Sequence, residues 1–461
     1  MEYGALSGVS RRGFLQRAAA LPGLLSLGAT EPSWVRFGRG WLRESSVVAA
    51  LKSGQKLPSG IPQDIAPSPA PSPLAERFPD LDRRFVFEYY PWYGREPWRH
   101  WNEGGRNPPH DLASEHVPRL GAYDSQSRDV IEQHARWIAA SGAGAISISW
   151  WGRGSYEDRS VHDVMDVMKE QGIAVTFGLE PYADDRGHRF LDDLLYLLTE
   201  YGEKRGWDAF LILRNADGSE GPVFKGFRTI LPETIVDCHG VIQKVSDYTP
   251  DELWSRQIGR IRRELRWDFD RVILLADSLD FGRTHACGFD GMGIYDNFIA
   301  PGDYDPLARG ASAAGLLFSF NVNPGYDEIP LENVPPESCY QPRPFAPPAG
   351  PLDFARGDHR ELAAALSIER IRSSIAATIE IQDDTRLSNY ENAFFLVYIN
   401  SFNEWHEGHA FEPMKDELDL TAAERAHGYH NPDYGDYRIA ALSEAIHPLV
   451  TARRIETGRK A

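Results

Sequence analysis

Ala145-Ile146-Ser147-Ile148-Ser149-Trp150-Trp151, then Val161, Val164, Met165 and Met168, then Val175-Thr176-Phe177-Gly178-Leu179, is the stretch on which the fold turns. A β-rich run is followed by apolar residues at helical spacing, and Gly172 stops that helix before a second β-rich run. The same rhythm extends in both directions. Toward the N-terminus, 85–90 is a strand ending at Pro91, and Val130, Ile131, His134, Trp137 and Ile138 mark a helix that Gly142 closes. Toward the C-terminus come a helix over 190–201, a strand at 210–213, a helix over 253–265 and strands at 272–275 and 315–320. A long helix around 362–379 then precedes the strand 394–399. Such alternation implies a parallel sheet, and the number of units predicts an α/β fold of the closed (β/α)8 TIM-barrel type rather than an open doubly wound sheet. No glycine-rich phosphate loop follows the first strand, which argues against nucleotide binding.

The polar chemistry collects at the strand ends. Glu88-Tyr89-Tyr90-Pro91-Trp92-Tyr93 closes the first strand, Trp150-Trp151-Gly152-Arg153 the second and Glu180-Pro181-Tyr182 the third. Pro324-Gly325-Tyr326-Asp327 and Ser401-Phe402-Asn403-Glu404-Trp405-His406-Glu407-Gly408 follow later strands. In a barrel all these ends converge on one face, where catalytic groups are found. Glu404 and Glu407 carry the sharpest reading. Paired glutamates are common on solvated helix faces in a chain with 67 acidic residues, but these directly follow an apolar strand and alternate with Trp405 and His406. If the loop turns helically, positions i and i+3 share a face. Burial beside Trp405 would raise one carboxyl and suit it to proton donation, while a hydrogen-bonded neighbour stays ionised. Glycosidic cleavage needs such a pair.

Composition narrows the ligand. A net charge of −18 disfavours nucleic acid or an anionic membrane surface as partner. Twelve Trp, 19 Tyr and 22 Phe offer flat amphipathic rings suited to sugar faces, although most such rings build the core of any protein. Cys238, Cys287 and Cys339 are distant and odd in number, so no disulfide framework or structural zinc is expected.

The N-terminus carries Arg11-Arg12-Gly13-Phe14-Leu15 and a short apolar run to Ala29, which resembles a twin-arginine export signal; a plain amphipathic helix is the bland alternative. Prolines from Pro58 to Pro79 mark an extended linker. The expected organisation is a signal over 1–30, a linker over 31–81, one catalytic barrel over 82–450 and a tail over 451–461. The expected location is periplasmic or secreted, reached through the twin-arginine export machinery, with no stable membrane anchor.

These motifs resemble glycoside hydrolase family 99, the endo-α-1,2-mannosidases and endo-α-1,2-mannanases. The likeness is carried by 87–94 (FEYYPWYG), His100-Trp101, Tyr123-Asp124-Ser125, 149–158 (SWWGRGSYED), Glu180-Pro181-Tyr182, 324–327 and 401–408 (SFNEWHEG). It implies a (β/α)8 barrel, retention of anomeric configuration, no metal or other cofactor, and an α-mannan-like oligo- or polysaccharide as substrate. It further implies that Glu404 deprotonates the sugar 2-hydroxyl, which attacks its own anomeric carbon to give a 1,2-anhydro sugar, while Glu407 protonates the departing oxygen. Tyr89, His100, Trp150 and Glu180 would line the non-reducing subsites, with Trp150 as a stacking platform. Tyr326 would sit near the cleaved bond, and Asn403 is counted with the binding residues. Two stretches depart from the family's pattern: Asn321-Val322-Asn323 before Pro324, and His409-Ala410-Phe411 after Gly408 where the family more often has Thr-Gln-Ile. Segments 335–351 and 414–437 have no counterpart. A remodelling hydrolase of another α-linked surface polysaccharide, or a non-catalytic glycan-binding barrel, are the alternatives.

Overall fold

The structure, a computed structural model, describes residues 73–237, 239–295, 299–325 and 352–457. The leader, most of the linker, Cys238, Cys339, Tyr326 and the 335–351 segment lie outside the described residues, as do the last four.

Among the described residues, eight strands and eight helices alternate to build the barrel. The strands are β1 (Phe85–Tyr89), β2 (Ala145–Trp150), β3 (Ala174–Leu179), β4 (Glu220–Gly226), β5 (Ile273–Ala276), β6 (Gly291–Met292), β7 (Leu317–Phe318 continued by Phe320–Val322) and β8 (Val397–Ile399). The helices are α1 (Arg128–Ser141), α2 (Tyr156–Glu170), α3 (Arg186–Leu197), α4 (Asp251–Leu265), α5 (Phe281–Ala286), α6 (Tyr304–Ala313), α7 (Gly357–Gln382) and α8 (Tyr437–Thr457). Every neighbouring pair among the eight barrel strands is parallel. The first half of β7 pairs with β6 and the second half with β8, which pairs with β1, so the sheet closes on itself. This is the (β/α)8 barrel that the alternation predicted.

Two strands were not visible as apolar runs. Sequence places the fourth strand at 210–213, yet the barrel position near the mouth belongs to β4. Phe210 makes only a single parallel bridge to Val175 low on β3, and Ile212–Arg214 then folds antiparallel onto β4. The reason is compositional. In β4 only Val223 and Phe224 are apolar, flanked by Gly221-Pro222 and Lys225-Gly226, so the run looks like a turn. β6 is two residues long and carries no pattern at all.

Alternation along the strands sorts side chains into two layers. Val86, Ala145, Ala174, Leu213, Val223, Ile273, Leu275, Leu317, Leu396 and Tyr398 fill the barrel's interior. Phe85, Phe87, Ile146, Ile148, Val175, Phe177 and Leu274 face the helices in a larger outer core. That core extends N-terminal to the expected domain start: Leu74 and Phe78 are fully buried in it, on and just after a short helix at Pro73–Arg77 that packs against α8. Cys287 is buried as well, and burial pushes its thiol up to about 12, which makes it inert packing. No helix among the described residues is long and apolar enough to cross a membrane.

Candidate active site

The mouth of the barrel is organised around the ends of two paired strands, β1 and β8. After β8 the peptide bond Asn400–Ser401 is cis, and the chain enters a single 3-10 turn over Trp405–Glu407. Glu407 N–H donates to the Glu404 carbonyl at 3.2 Å. A 3-10 turn has three residues per turn, so side chains at i and i+3 eclipse, and Glu404 and Glu407 emerge on one side. Gly408 closes the turn at φ +70°, a conformation that favours glycine, and swings His409 back toward the same side.

The loop is fastened to β1 by buried hydrogen bonds. Phe402 N–H donates to the Glu88 carbonyl at 2.8 Å. The Asn403 side chain grips Tyr90 both ways, accepting from its N–H at 2.8 Å and donating to its carbonyl at 3.0 Å. Trp405 N–H donates to the Tyr93 hydroxyl at 2.8 Å, and Glu404 N–H to Ser401 Oγ at 2.9 Å. Behind the loop, Glu412 accepts from the Trp405 indole and the Tyr123 hydroxyl, each at 2.7 Å, and lies 3.2 Å from His134 Nε2. The Tyr93 and Tyr123 hydroxyls are held well above the usual phenol range, first by burial and then by nearby Glu404 and Glu412 respectively, so both stay protonated.

Glu404 and Glu407 are both buried. One carboxylate oxygen of each, with a ring nitrogen of His409, lies within 4.8 Å of the others. The Tyr295 hydroxyl, from the segment after β6, reaches all three: it contacts Glu404, Glu407 Oε2 at 2.9 Å and His409 Nε2 at 3.2 Å. Tyr295 is itself aimed by Asp277 at the end of β5, which accepts from its N–H at 3.0 Å. Below it, Lys225 at the end of β4 forms an ion pair with Glu88 and lies 4.2 Å from the centre of the Tyr398 ring. Tyr295, His409 and Lys225 were missed by sequence reasoning. Tyr295 follows the two-residue strand that has no signature, whereas His409 was visible as a departure one position beyond Gly408.

On the opposite rim, Trp92 stacks on His100 at 4.5 Å, and His100 on His406 at 5.7 Å. Glu103 receives His100 Nδ1 at 2.5 Å and lies 3.9 Å from His406 Nε2. Burial alone would raise the Glu103 carboxyl, but His406 and His100 outweigh it and hold it below the usual range. His100, Glu103 and His406, like Glu404, Glu407 and His409, have the donor types a cation would need.

The structure brings Glu404 and Glu407 together with His409, and His100 together with Glu103 and His406. Glu180 points inward at the end of β3 and accepts from Ser149 Oγ at 2.8 Å. Three expected binding residues are placed elsewhere. Trp150 is fully buried between β2 and the helices, donating to Asp158 at 2.7 Å and packing on Tyr182 and Tyr196, so it is no stacking platform. Its half-buried neighbour Trp151 stands at the mouth, 6.5 Å from Trp92. Tyr89 turns toward α1, 3.0 Å from His134 Nδ1. Both corrections have one cause: odd positions in β1 and even ones in β2 face outward, so Tyr89 continues Phe85 and Phe87, and Trp150 continues Ile146 and Ile148. Asn403 has its amide engaged by Tyr90 and Tyr123 and serves as a clamp.

Known proteins resemble this chain in sequence and in fold. The sequence model of Glycosyl hydrolase family 99 matches residues 85–214. A glycoprotein endo-α-1,2-mannosidase-like protein from Danio rerio is 25% identical over 384 residues, covering 75% of this chain and 74% of that protein. A glycoprotein endo-α-1,2-mannosidase from Mus musculus is 22% identical over 400 residues, covering 78% and 74%. The solved endo-α-mannosidase of family 99 from Bacteroides thetaiotaomicron has the same fold, with a TM-score of 0.55 and 20% identity over 81% of this chain and 99% of that one. The closed parallel barrel and these relatives together define a (β/α)8 glycoside hydrolase. Within that class, the chain is a relative of Glycosyl hydrolase family 99.

Proposed function

We propose that this chain is an exported, retaining, endo-acting hydrolase of α-mannosidic linkages, with Glu404 and Glu407 as its two catalytic residues. The carrying observation is the pair of buried carboxylates, with oxygens within 4.8 Å, on one side of a 3-10 turn at the barrel mouth. A sugar there can meet both groups at once.

The reaction runs in two proton-balanced steps. Glu404 takes the proton of the 2-hydroxyl as that oxygen bonds to the anomeric carbon. The glycosidic bond breaks, and Glu407 gives its proton to the departing oxygen. The 1,2-anhydro sugar is then opened: Glu407 takes a proton from water, the water oxygen bonds to the anomeric carbon, and Glu404 returns its proton to the 2-oxygen. Two inversions give net retention, without a covalent enzyme intermediate of the usual retaining kind. The Tyr295 hydroxyl, able to donate to either carboxylate, favours whichever is ionised at each stage.

His100, Glu180 and Trp151 are the side chains we assign to the sugar-binding rim, with Tyr326 kept as a residue near the cleaved bond. The relatives' names support an α-1,2-mannosidic target. Export through the twin-arginine route to the periplasm or exterior rests on Arg11-Arg12 and the apolar run that follows.

The test is incubation with α-1,2-linked mannan and other α-linked polysaccharides, with product anomers read by NMR. The expected result is internal cleavage with the α-anomer released first. Glu407→Gln and Glu404→Gln should each lose at least ~100-fold in turnover while still binding glycan. Unchanged turnover in either variant removes that residue from the mechanism. Cleavage of another α-linked polysaccharide but not mannan moves the substrate, and binding without any product makes the protein a lectin-like barrel.

A further inference from the structure

The acid–base pair has a third titratable partner that the two-carboxylate scheme leaves unused. His409 is buried on the far side of Gly408, and its Nε2 lies 3.4 Å from Glu407 Oε2, 3.7 Å from Glu404 Oε2 and 3.2 Å from the Tyr295 hydroxyl. Its ring packs edge-on against Tyr295 at 6.1 Å. One imidazole nitrogen therefore faces both carboxylates and the phenol that bridges them.

We propose that His409 is a positioning residue that sets how protons are distributed between Glu404 and Glu407. The inference rests on the reading of those two glutamates as the working pair. Consider the charge in this buried cluster. With a neutral imidazole and both carboxylates ionised, two negative charges sit within 4.8 Å, an arrangement that burial and mutual repulsion both oppose. The phenol has one proton and can serve one carboxylate at a time. A protonated His409 lies 3.4 Å from Glu407 and 3.7 Å from Glu404, and with Glu404 ionised and Glu407 protonated it brings the charge of the three groups to zero. That is the distribution the first chemical step requires.

Among the described residues, other charged groups in this part of the molecule have partners of their own. Lys225, 5.7 Å from the Tyr295 ring, is committed to Glu88 on β1. Asp277 holds the backbone of Tyr295. On the α8 side, Arg438 donates to the carbonyl of Ala410 at 2.8 Å and braces the strand of chain that carries His409. Across the mouth, Glu103 is matched by His406 and His100. An opposite charge at such distances moves a carboxyl by about one to three pH units.

Two measurements decide the matter. The first is the pH profile of kcat/KM, which reports the free enzyme's acid and base, for wild type and His409→Gln. Gln keeps a hydrogen-bond donor and removes the charge. The acidic limb should move upward by about one pH unit or more, because Glu404 then loses its cation and protonates sooner. Superimposable profiles overturn the proposal. The second needs no substrate: NMR titration of the His409 ring in wild type and in Glu404→Gln. The imidazole should titrate about one unit or more lower in the variant, which has lost its anion. An unmoved titration also overturns it. If wild type cuts no α-linked glycan, the functional reading fails by itself, and the ring titration still reports whether His409 and Glu404 share charge.

Discussion

At the scale of single residues, neighbours in sequence do opposite jobs. Trp150 buries its whole ring and satisfies its indole on Asp158, while Trp151 stands half-buried beside Trp92. Trp150→Ala should therefore act on the fold, costing about 3–5 kcal/mol as a buried aromatic replaced by a cavity. Trp151→Ala should leave the melting temperature nearly unchanged and raise KM for a long glycan. Thermal unfolding and steady-state kinetics on the two variants check this, and the reverse assignment sinks the layer argument. The residues that carry the family likeness were legible in the sequence, but their roles only partly. Glu404 and Glu407 were readable because acids after an apolar strand are anomalous. Tyr89 and Trp150 were given binding roles on the family likeness alone, before the parity of their strands was applied. Counting by twos from Phe85 or Ile146 would have turned both outward. Tyr295 had no comparable signal, since its position depends on Asp277 and a strand of two residues.

At the scale of elements, the site is a joint between β1 and β8. The strands pair in register, with Phe87 opposite Ile399, and their continuations are then locked by Asn403. This explains why 87–94 and 401–408 occur together among the stretches that carry the likeness: part of each exists to hold the other. Asn403→Ala removes three buried hydrogen bonds and leaves both polar groups of the Tyr90 peptide to find other partners. An unsatisfied buried polar group costs about 1–3 kcal/mol. The expected outcome is a lower unfolding temperature together with a fall in kcat, because the turn bearing Glu404 loses its anchor, while KM changes little. A rise in KM with kcat intact would instead restore Asn403 to the list of sugar contacts. The strands that were legible, such as β2 and β3, have six consecutive buried residues each. β4 and β6 were not, because Pro222, Lys225 and several glycines interrupt any run. Those glycines have a packing reason: a Cβ at Gly291 would come within 2.5 Å of the Leu317 carbonyl oxygen, and one at Gly293 within 2.8 Å of the Lys225 stem.

At the scale of the whole molecule, the buried core reaches past the boundary that the prolines suggest. Composition places the linker through residue 81, since the proline spacing runs to Pro79. Yet Pro73 opens a short helix, as proline can in a first helical turn, and Leu74 and Phe78 seal the outer core near α8. The Phe78 ring lies 5.8 Å from Phe395 and beneath the Arg84 guanidinium at 4.8 Å, and Arg77 donates to the Tyr390 carbonyl at 3.1 Å. A chain starting at Asp82 loses both buried side chains. Truncating a buried Leu costs about 2–5 kcal/mol and a Phe about 3–5. Their sum is comparable with the roughly 5–15 kcal/mol that holds a typical domain together. A chain starting at Pro73 keeps both. Compared by thermal unfolding, the chain from Asp82 should melt more than about 10 °C lower, or fail to fold, since each kcal/mol moves the midpoint of a large domain by about 2–4 °C. Equal melting of the two would mean that this helix lies on the barrel without stabilising it, and the boundary read from the prolines would stand.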